Sequence, residues 1–346
     1  MKSLFFILIL INCLFAEQRV LRISNFIDYI DVELLKDFAY ENDIKIIYDI
    51  HEVNEDIFAK VKDKNDYDLI IISSNYITKL EKLNKLEKID NSKLKNYSNI
   101  NQDFLQTNFS NSMVYTIPYL WGTVGLLYNK KLVKEPITKW GDLWKEEFKD
   151  SILLSNEPAD VMAITLKSLG YSANSTNKEE INKAYEKLIT LIPNIKDISS
   201  SNAITYFITN GFSVGMAFSG DAKLIIDKSG DFKFIYPKEG ALKWADGMVI
   251  LKDSPNKDLA YKFIDFIIDE KNYAKIGNKT GYAISNEISM KYINDNDLSN
   301  TITYPNQKNL LNSEILIDNK NTYMNIIEDF ENFKKAYIKN KDLNEK

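Results

Sequence analysis

Cysteine and histidine are almost absent: the 346 residues contain one of each, Cys13 and His51. That scarcity removes much chemistry. Zinc clusters and Cys–His nucleophiles need partners that this chain does not have. A Ser–His–Asp triad would have to recruit His51, and no Gly-x-Ser-x-Gly elbow accompanies it. His51 reads instead as a strand end, directly after the apolar "IKIIYDI". No glycine-rich phosphate loop occurs either. Positive charge is not in excess. A formal charge of −5 argues against a nucleic-acid partner held through its phosphates.

The one long apolar run is residues 4–15, after Lys2 and before Ala16. It is too short for a bilayer-spanning helix, which needs ~20 residues, and it is built like a secretory signal peptide. Cleavage after Ala16 is expected, which leaves a mature chain without cysteine and without disulfides. The alternative is a lipoprotein anchored through Cys13. Against it, Asn12 stands where a small residue is expected, and "LFA" follows the cysteine. The whole chain, 45% hydrophobic and 27% charged, has the composition of an ordinary soluble globular protein and is long enough for two domains. The charge run "KLEKLNKLEK" (79–88) reads as a solvated helix face.

Strand and helix patterns alternate along the chain. "RVLRISNF" reads as a strand, and "DVELLKDFAYEN" as a helix with Val32, Leu35, Phe38 and Ala39 on one face. "IKIIYDI" is a second strand, "NEDIFAKVKD" a helix opened by Asn54, and "YDLIIISS" a third strand, wholly apolar. Strands apolar on both faces and separated by helices predict a largely parallel sheet covered by helices. In such sheets ligands sit beyond the carboxyl ends of the strands. That places "SNFIDY" (24–29) and "SSNY" (73–76) at the mouth. A similar strand–helix run covers 151–236, and "MVILKD" with the following helix returns to the first half. No long Pro/Gly linker separates the halves, so two α/β lobes joined by extended segments are expected, with crossings at "VGLLYN" (124–129) and "MVILKD" (248–253). Such lobes form a cleft that can hinge.

One short stretch points to a ligand. In "LKWADGMVILKD" (242–253), Trp244 and Asp246 are two apart on an extended chain and face the same way. An aromatic face beside a carboxylate suits an organic cation.

The segments "IPYLWGTVGLLYN", "WGDLWKEEFKDSILL", "SLGYSANSTNKEEINKAYEKL", "YPKEGALKWADGMVI" and "DLAYKFIDFI" resemble the bacterial periplasmic spermidine/putrescine-binding proteins of polyamine ABC importers, from about Arg19 to the C-terminal helix. The resemblance implies a type II periplasmic-binding-protein fold: two α/β lobes around a hinged cleft. The first lobe is expected at 17–123 plus 248–295, and the second at 124–247 plus 296–346, after the 1–16 signal. It also implies site residues. "SNFIDY" supplies Phe26 for the family's tryptophan, Asp28 for its acid and Tyr29 for its tyrosine, with Ile27 in place of a threonine. The serine pair is Ser73 and Ser74. "NEPAD" supplies Glu157 and Asp160, acids that a helix N-terminus would also favour. Ser200, Phe218, Asp221, Trp244 and Asp246 complete the set. Asp221 matches the putrescine-preferring branch, although taken alone, after Gly220, it reads first as a helix N-cap. Asn75 replaces an aromatic residue, and the family's late glutamine falls near Leu316.

The implied function is a monomeric receptor that captures spermidine or putrescine and hands it to a membrane permease with ATPase subunits. It needs no cofactor, no metal and no catalytic residue. Neutralising the carboxylates, near pH 4 from their ordinary pKa values, is expected to release the ligand. Two alternatives use the same residues: a receptor of this fold for another organic cation or small solute, and a hydrolase with Glu157 and Asp160 as acid and base. The ferric-binding relatives' Tyr-Tyr pair is missing.

Overall fold

A computed structural model describes residues 18–64, 66–109, 112–200, 203–209, 211–317 and 320–344. The expected signal segment and Cys13 lie outside these described residues. The first strand–helix run comprises β1 (Val20–Phe26), α1 (Val32–Asn42), β2 (Lys45–His51), α2 (Asn54–Asp63), β3 (Leu69–Ser73) and α3 (Ser74–Lys82). After α4 (Gln102–Phe109) comes a long strand, β4 (Ile117–Asn129). The second run holds β5 (Ile152–Leu154), α5 (Pro158–Ser168), α6 (Lys178–Ile189), β6 (Ile195–Ile198), α7 (Ala203–Thr209), β7 (Val214–Phe218), α8 (Ser219–Lys228) and β8 (Phe232–Ile235). β9 (Leu242–Ile250) brings the chain back, followed by α9 (Lys257–Ile267), α10 (Glu270–Thr280), α11 (Asp295–Leu298), β10 (Glu314–Ile315) and α12 (Lys320–Asn344).

β1 pairs in parallel with β2 and β3, as helical crossovers require. β5 likewise pairs in parallel with β6 and β7. Between these sets run β4 and β9, antiparallel to each other. β9 also pairs antiparallel with β3, so Ser73 lies opposite Asp246. β4 continues antiparallel to β7 and β8. The apolar residues gather in two main clusters. One holds Ile23, Ile71, Tyr119, Val249 and Ile264; the other holds Leu126, Leu154, Ile164, Met216 and Phe333. β4 and β9 serve both. Ile117 and Leu120 belong to the first cluster, while Val124 and Leu126 belong to the second; in β9, Ala245 belongs to the first and Leu242 to the second. The chain therefore changes cores at 121–123 and 243–244, a few residues before the crossings expected from sequence. A single long strand pairs on both sides, so no loop is needed for the change.

Two local expectations are corrected, and a third holds. In α1 the buried stripe is Leu34 and Phe38, whereas Val32 is 56% exposed. Val32 and Leu34 lie about 200° apart around the helix, on opposite sides. α2 opens at Asn54 as expected, and the Asn54 side chain accepts a hydrogen bond from the Ser73 amide at 3.0 Å. The run 79–88 is not one solvated face. α3 ends at Lys82, Leu80 and Leu86 are buried, and the buried Lys79 ammonium lies 3.7 Å from the Tyr76 ring centroid.

Candidate ligand-binding site

β9 carries Trp244 and Asp246 on one face, and both reach a cavity of about 160 Å³. Every candidate residue except Ser74 lines it: Phe26, Asp28, Tyr29 and Ser73 from the ends of β1 and β3, and Glu157, Asp160, Ser200, Phe218 and Asp221 from the second run. These positions follow β1, β3, β5, β6 and β7, the carboxyl ends where an α/β sheet presents ligands. Ser74 opens α3 and turns into a neighbouring cavity, because successive residues leaving a strand point to opposite sides.

Asp246 is 4% exposed and held between two donors. The Tyr29 hydroxyl donates to Oδ2 at 2.8 Å, and the Ser73 hydroxyl donates to Oδ1 at 2.6 Å. Burial pushes the carboxyl up to about 6, although both hydrogen bonds pull it down. Asp221 receives the Tyr282 hydroxyl at 3.1 Å, and burial pushes its carboxyl up to about 7. It is not a cap. α8 begins at Ser219, the residue before it makes no side-chain capping bond, and Asp221 faces the cavity.

The opposite acids come from the start of α5. Glu157 is the N-cap position but makes no capping bond with its side chain. Burial, then the charge of Glu55, then that of Asp160 hold Glu157 well above the carboxylate range. Asp160 is raised to about 7 by burial, then by Glu55 and Asp246. The mutual influence of Asp160 and Asp246 places acids from the two halves in one field. Ser200 accepts from the Asn156 amide at 2.9 Å and lies 3.2 Å from the Ser155 hydroxyl, so it fixes the turn that presents Glu157. Asp28 sits at φ 53°, a left-handed position that aspartate tolerates better than most residues.

The aromatic wall is continuous. The Trp244 ring meets Tyr282 at 5.1 Å, Phe218 at 6.1 Å and Tyr29 at 6.4 Å between centroids. Phe26 meets Tyr29 edge-on at 5.4 Å. Two glycines make room for it. A Cβ on Gly122 would stand 2.7 Å from the Trp244 ring, and one on Gly220 would stand 2.5 Å from the Tyr282 ring.

Sequence reasoning missed Tyr282, Thr280, Glu52, Asn54, Tyr76 and Lys243, all on the lining. Tyr282 follows a helix and a glycine rather than a strand, so nothing in its local pattern marked it. In total six carboxylates, those of Asp28, Glu52, Glu157, Asp160, Asp221 and Asp246, face one lysine on the described lining. His51 does not line the cleft; it is buried behind it, its ring 4.3 Å from that of Phe26. Its Nδ1 lies 2.9 Å from the Ser24 hydroxyl, and burial lowers its pKa to about 3. Among the described residues, no group of three or more His, Cys, Asp or Glu side chains could hold a metal ion. No described helix is long and apolar enough to cross a membrane.

Such an array holds cations. A buried ammonium needs an anionic partner, and the rings add attraction to each charge while covering the methylenes between. Comparison with known proteins agrees with that chemistry. The family model for bacterial extracellular solute-binding proteins matches residues 33–300. The spermidine/putrescine-binding periplasmic protein of Escherichia coli (strain K12) is 33% identical over 301 residues, 86% of each chain. A solved structure assigned to spermidine/putrescine ABC transport in Listeria monocytogenes has a TM-score of 0.88 at 33% identity, covering 92% of this chain and 99% of that one. The substrate-binding protein PotD of Streptococcus pneumoniae gives a TM-score of 0.77 at 33% identity, covering 92% and 100%.

Proposed function

The chain belongs to the bacterial extracellular solute-binding proteins, within their spermidine/putrescine-binding branch, and we propose that it captures a polyamine outside the cytoplasm and delivers it to an ABC-type importer. The observation that carries this reading is the excess of six carboxylates over one lysine in an aromatic-walled cleft. A polyamine carries a positive charge at each amine along a slender apolar chain. Asp246 with Trp244 would hold a central nitrogen, Glu157 and Asp160 one end, and Asp221 with Asp28 the other. Tyr29, Phe218 and Phe26 would cover the methylenes, and Ser73 and Ser200 would fix the acids. No bond is made or broken, so no residue needs a catalytic role.

The two cores, which change over at 121–123 in β4 and 243–244 in β9, support two lobes close to the expected 17–123 plus 248–295 and 124–247 plus 296–346, closing on the ligand about these strands. Export through the N-terminal segment with cleavage after Ala16, a monomeric receptor, and docking on a permease with its ATPase subunits complete the reading. Calorimetric titration of the mature chain with putrescine and spermidine tests it. Micromolar or tighter binding of at least one, ~8 kcal/mol or more, is expected. Absence of heat with both, in folded protein, excludes it.

A further inference from the structure

We propose that the ligand cleft opens into a second chamber, which receives an uncharged acyl arm carried on one nitrogen of the polyamine. The inference rests on the polyamine reading above and specifies the ligand further. A neighbouring cavity of about 540 Å³ shares two lining residues with the cleft, Asn75 and Leu316. Those side chains are the partition between the two spaces. Asn75 stands two residues past Ser73, the hydroxyl bound to Asp246, so the opening lies beside that acid. The partition is thin in side-chain bulk at this point, an asparagine and a leucine rather than a ring.

The chamber differs from the cleft in charge. Its lining holds one acid, Glu81, against one base, Lys82. An ammonium pushed into it would lose water and gain no surplus anion, unlike one in the cleft. The remaining wall is hydroxyl, amide, aliphatic and aromatic, with Ser74, Thr78 and Asn108 alongside Phe109, Tyr115 and Ile317. Ser112 also borders it, 1% exposed and with no hydrogen-bond partner for its hydroxyl among the described residues. An amide finds donors and acceptors on such a wall and its methyl finds apolar contact, whereas the cleft's acids keep the charged nitrogens. Ser74, expected in the cleft from the sequence, belongs to this chamber.

Calorimetry with putrescine and with N-(3-acetamidopropyl)putrescine, the same diamine bearing a neutral arm, tests the assignment. The armed compound is expected to bind within threefold of putrescine or tighter. Thr78→Trp and Ile317→Trp change positions that line only the chamber, and Ile317 is 57% exposed, so a ring there leaves the fold intact. Each is expected to weaken the armed compound at least tenfold and leave putrescine within twofold. Armed ligand bound more than threefold weaker than putrescine by the unaltered protein, or tryptophan variants that shift both ligands alike or neither, would overturn the chamber. Failure of putrescine and spermidine themselves to bind would overturn the polyamine reading beneath it.

Discussion

The Tyr282 hydroxyl donates to Asp221 Oδ1 at 3.1 Å, joining residues 61 apart in sequence. Tyr282 belongs to the first core, whereas Asp221 lies in the first turn of α8, whose buried residues pack elsewhere. The bond therefore spans the cleft at one of its ends. Removing the hydroxyl with Tyr282→Phe takes away a donor to a charged acceptor, worth ~1.5–3 kcal/mol. Because this bond is already made in the ligand-free cleft, the melting temperature of the empty protein is expected to fall by a few degrees, and polyamine affinity to fall severalfold as Asp221 loses the donor that orients it. Unaltered calorimetric affinity would show that Asp221 needs no support from Tyr282.

Asp246 accepts two side-chain hydrogen bonds inside the cleft, and its replacement separates charge from shape. Asp246→Asn keeps the size of the side chain beside Tyr29 and Ser73 but removes the anion. Losing one partner of a buried ion pair costs ~3–5 kcal/mol, so affinity is expected to drop by at least two orders of magnitude. The empty variant should melt at least as high as the parent, because an unpaired buried charge has gone. Retained binding would move the central contact to another acid.

Proton linkage follows from the raised acids. Burial raises Asp160 and Asp221 to about 7 and also holds Glu157 well above the carboxylate range, against ~4 in the unfolded chain. From that unfolded value up to about 7 the folded state holds more protons than the unfolded one, so stability is lost as pH rises. His51 has the opposite sign, because its folded pKa is depressed to about 3 and its stabilising effect grows up to its unfolded value near 6.5. Above pH 6.5 the cleft acids act alone. The ligand-free protein is expected to melt at a lower temperature at pH 8 than at pH 6.5, and Asp160→Asn should flatten the slope. A melting temperature rising over that interval would contradict it.

The same acids set the pH of release. Ordinary carboxylates predict ligand loss near pH 4, but burial moves the window up to between about 6 and 7. Affinity should weaken steadily from pH 7.5 to pH 6, with protons released on binding. Titrations at pH 6.5 in buffers of different ionisation enthalpy measure that release directly. Equal heats in all buffers would mean that the cleft is already fully ionised.

Gly220 offers a test of the aromatic wall that leaves every charge in place. In a helix, Gly→Ala normally stabilises by up to ~1 kcal/mol. Here the new Cβ would stand 2.5 Å from the Tyr282 ring, so the ring must shift. Gly220→Ala is expected to weaken binding about tenfold or more, at the level of one lost ring contact and one lost hydrogen bond. Undiminished affinity would show that the ring position does not matter.

Periodicity alone established the alternating strands and helices, because apolar residues must recur every two or every 3.6 positions to reach a core. It also established the shared face of Trp244 and Asp246, which follows from strand geometry whatever the strand packs against. The resemblance added Glu157, Asp160 and Asp221, whose local sequence looks like ordinary helix starts.

Tertiary structure decided the rest. Which face of α1 is buried depended on the sheet beneath it, so Leu34 replaced Val32. Tyr282 entered the cleft because Gly220 lets α8 approach its ring, a contact between segments 62 residues apart with no local trace. Ser74 left the cleft because the chain turns from strand to helix at that residue. The raised pKa values likewise belong to no single residue. They arise from burial and from acids brought together out of distant segments, and sequence carries charge and order along the chain but not the distance between side chains once the chain has folded.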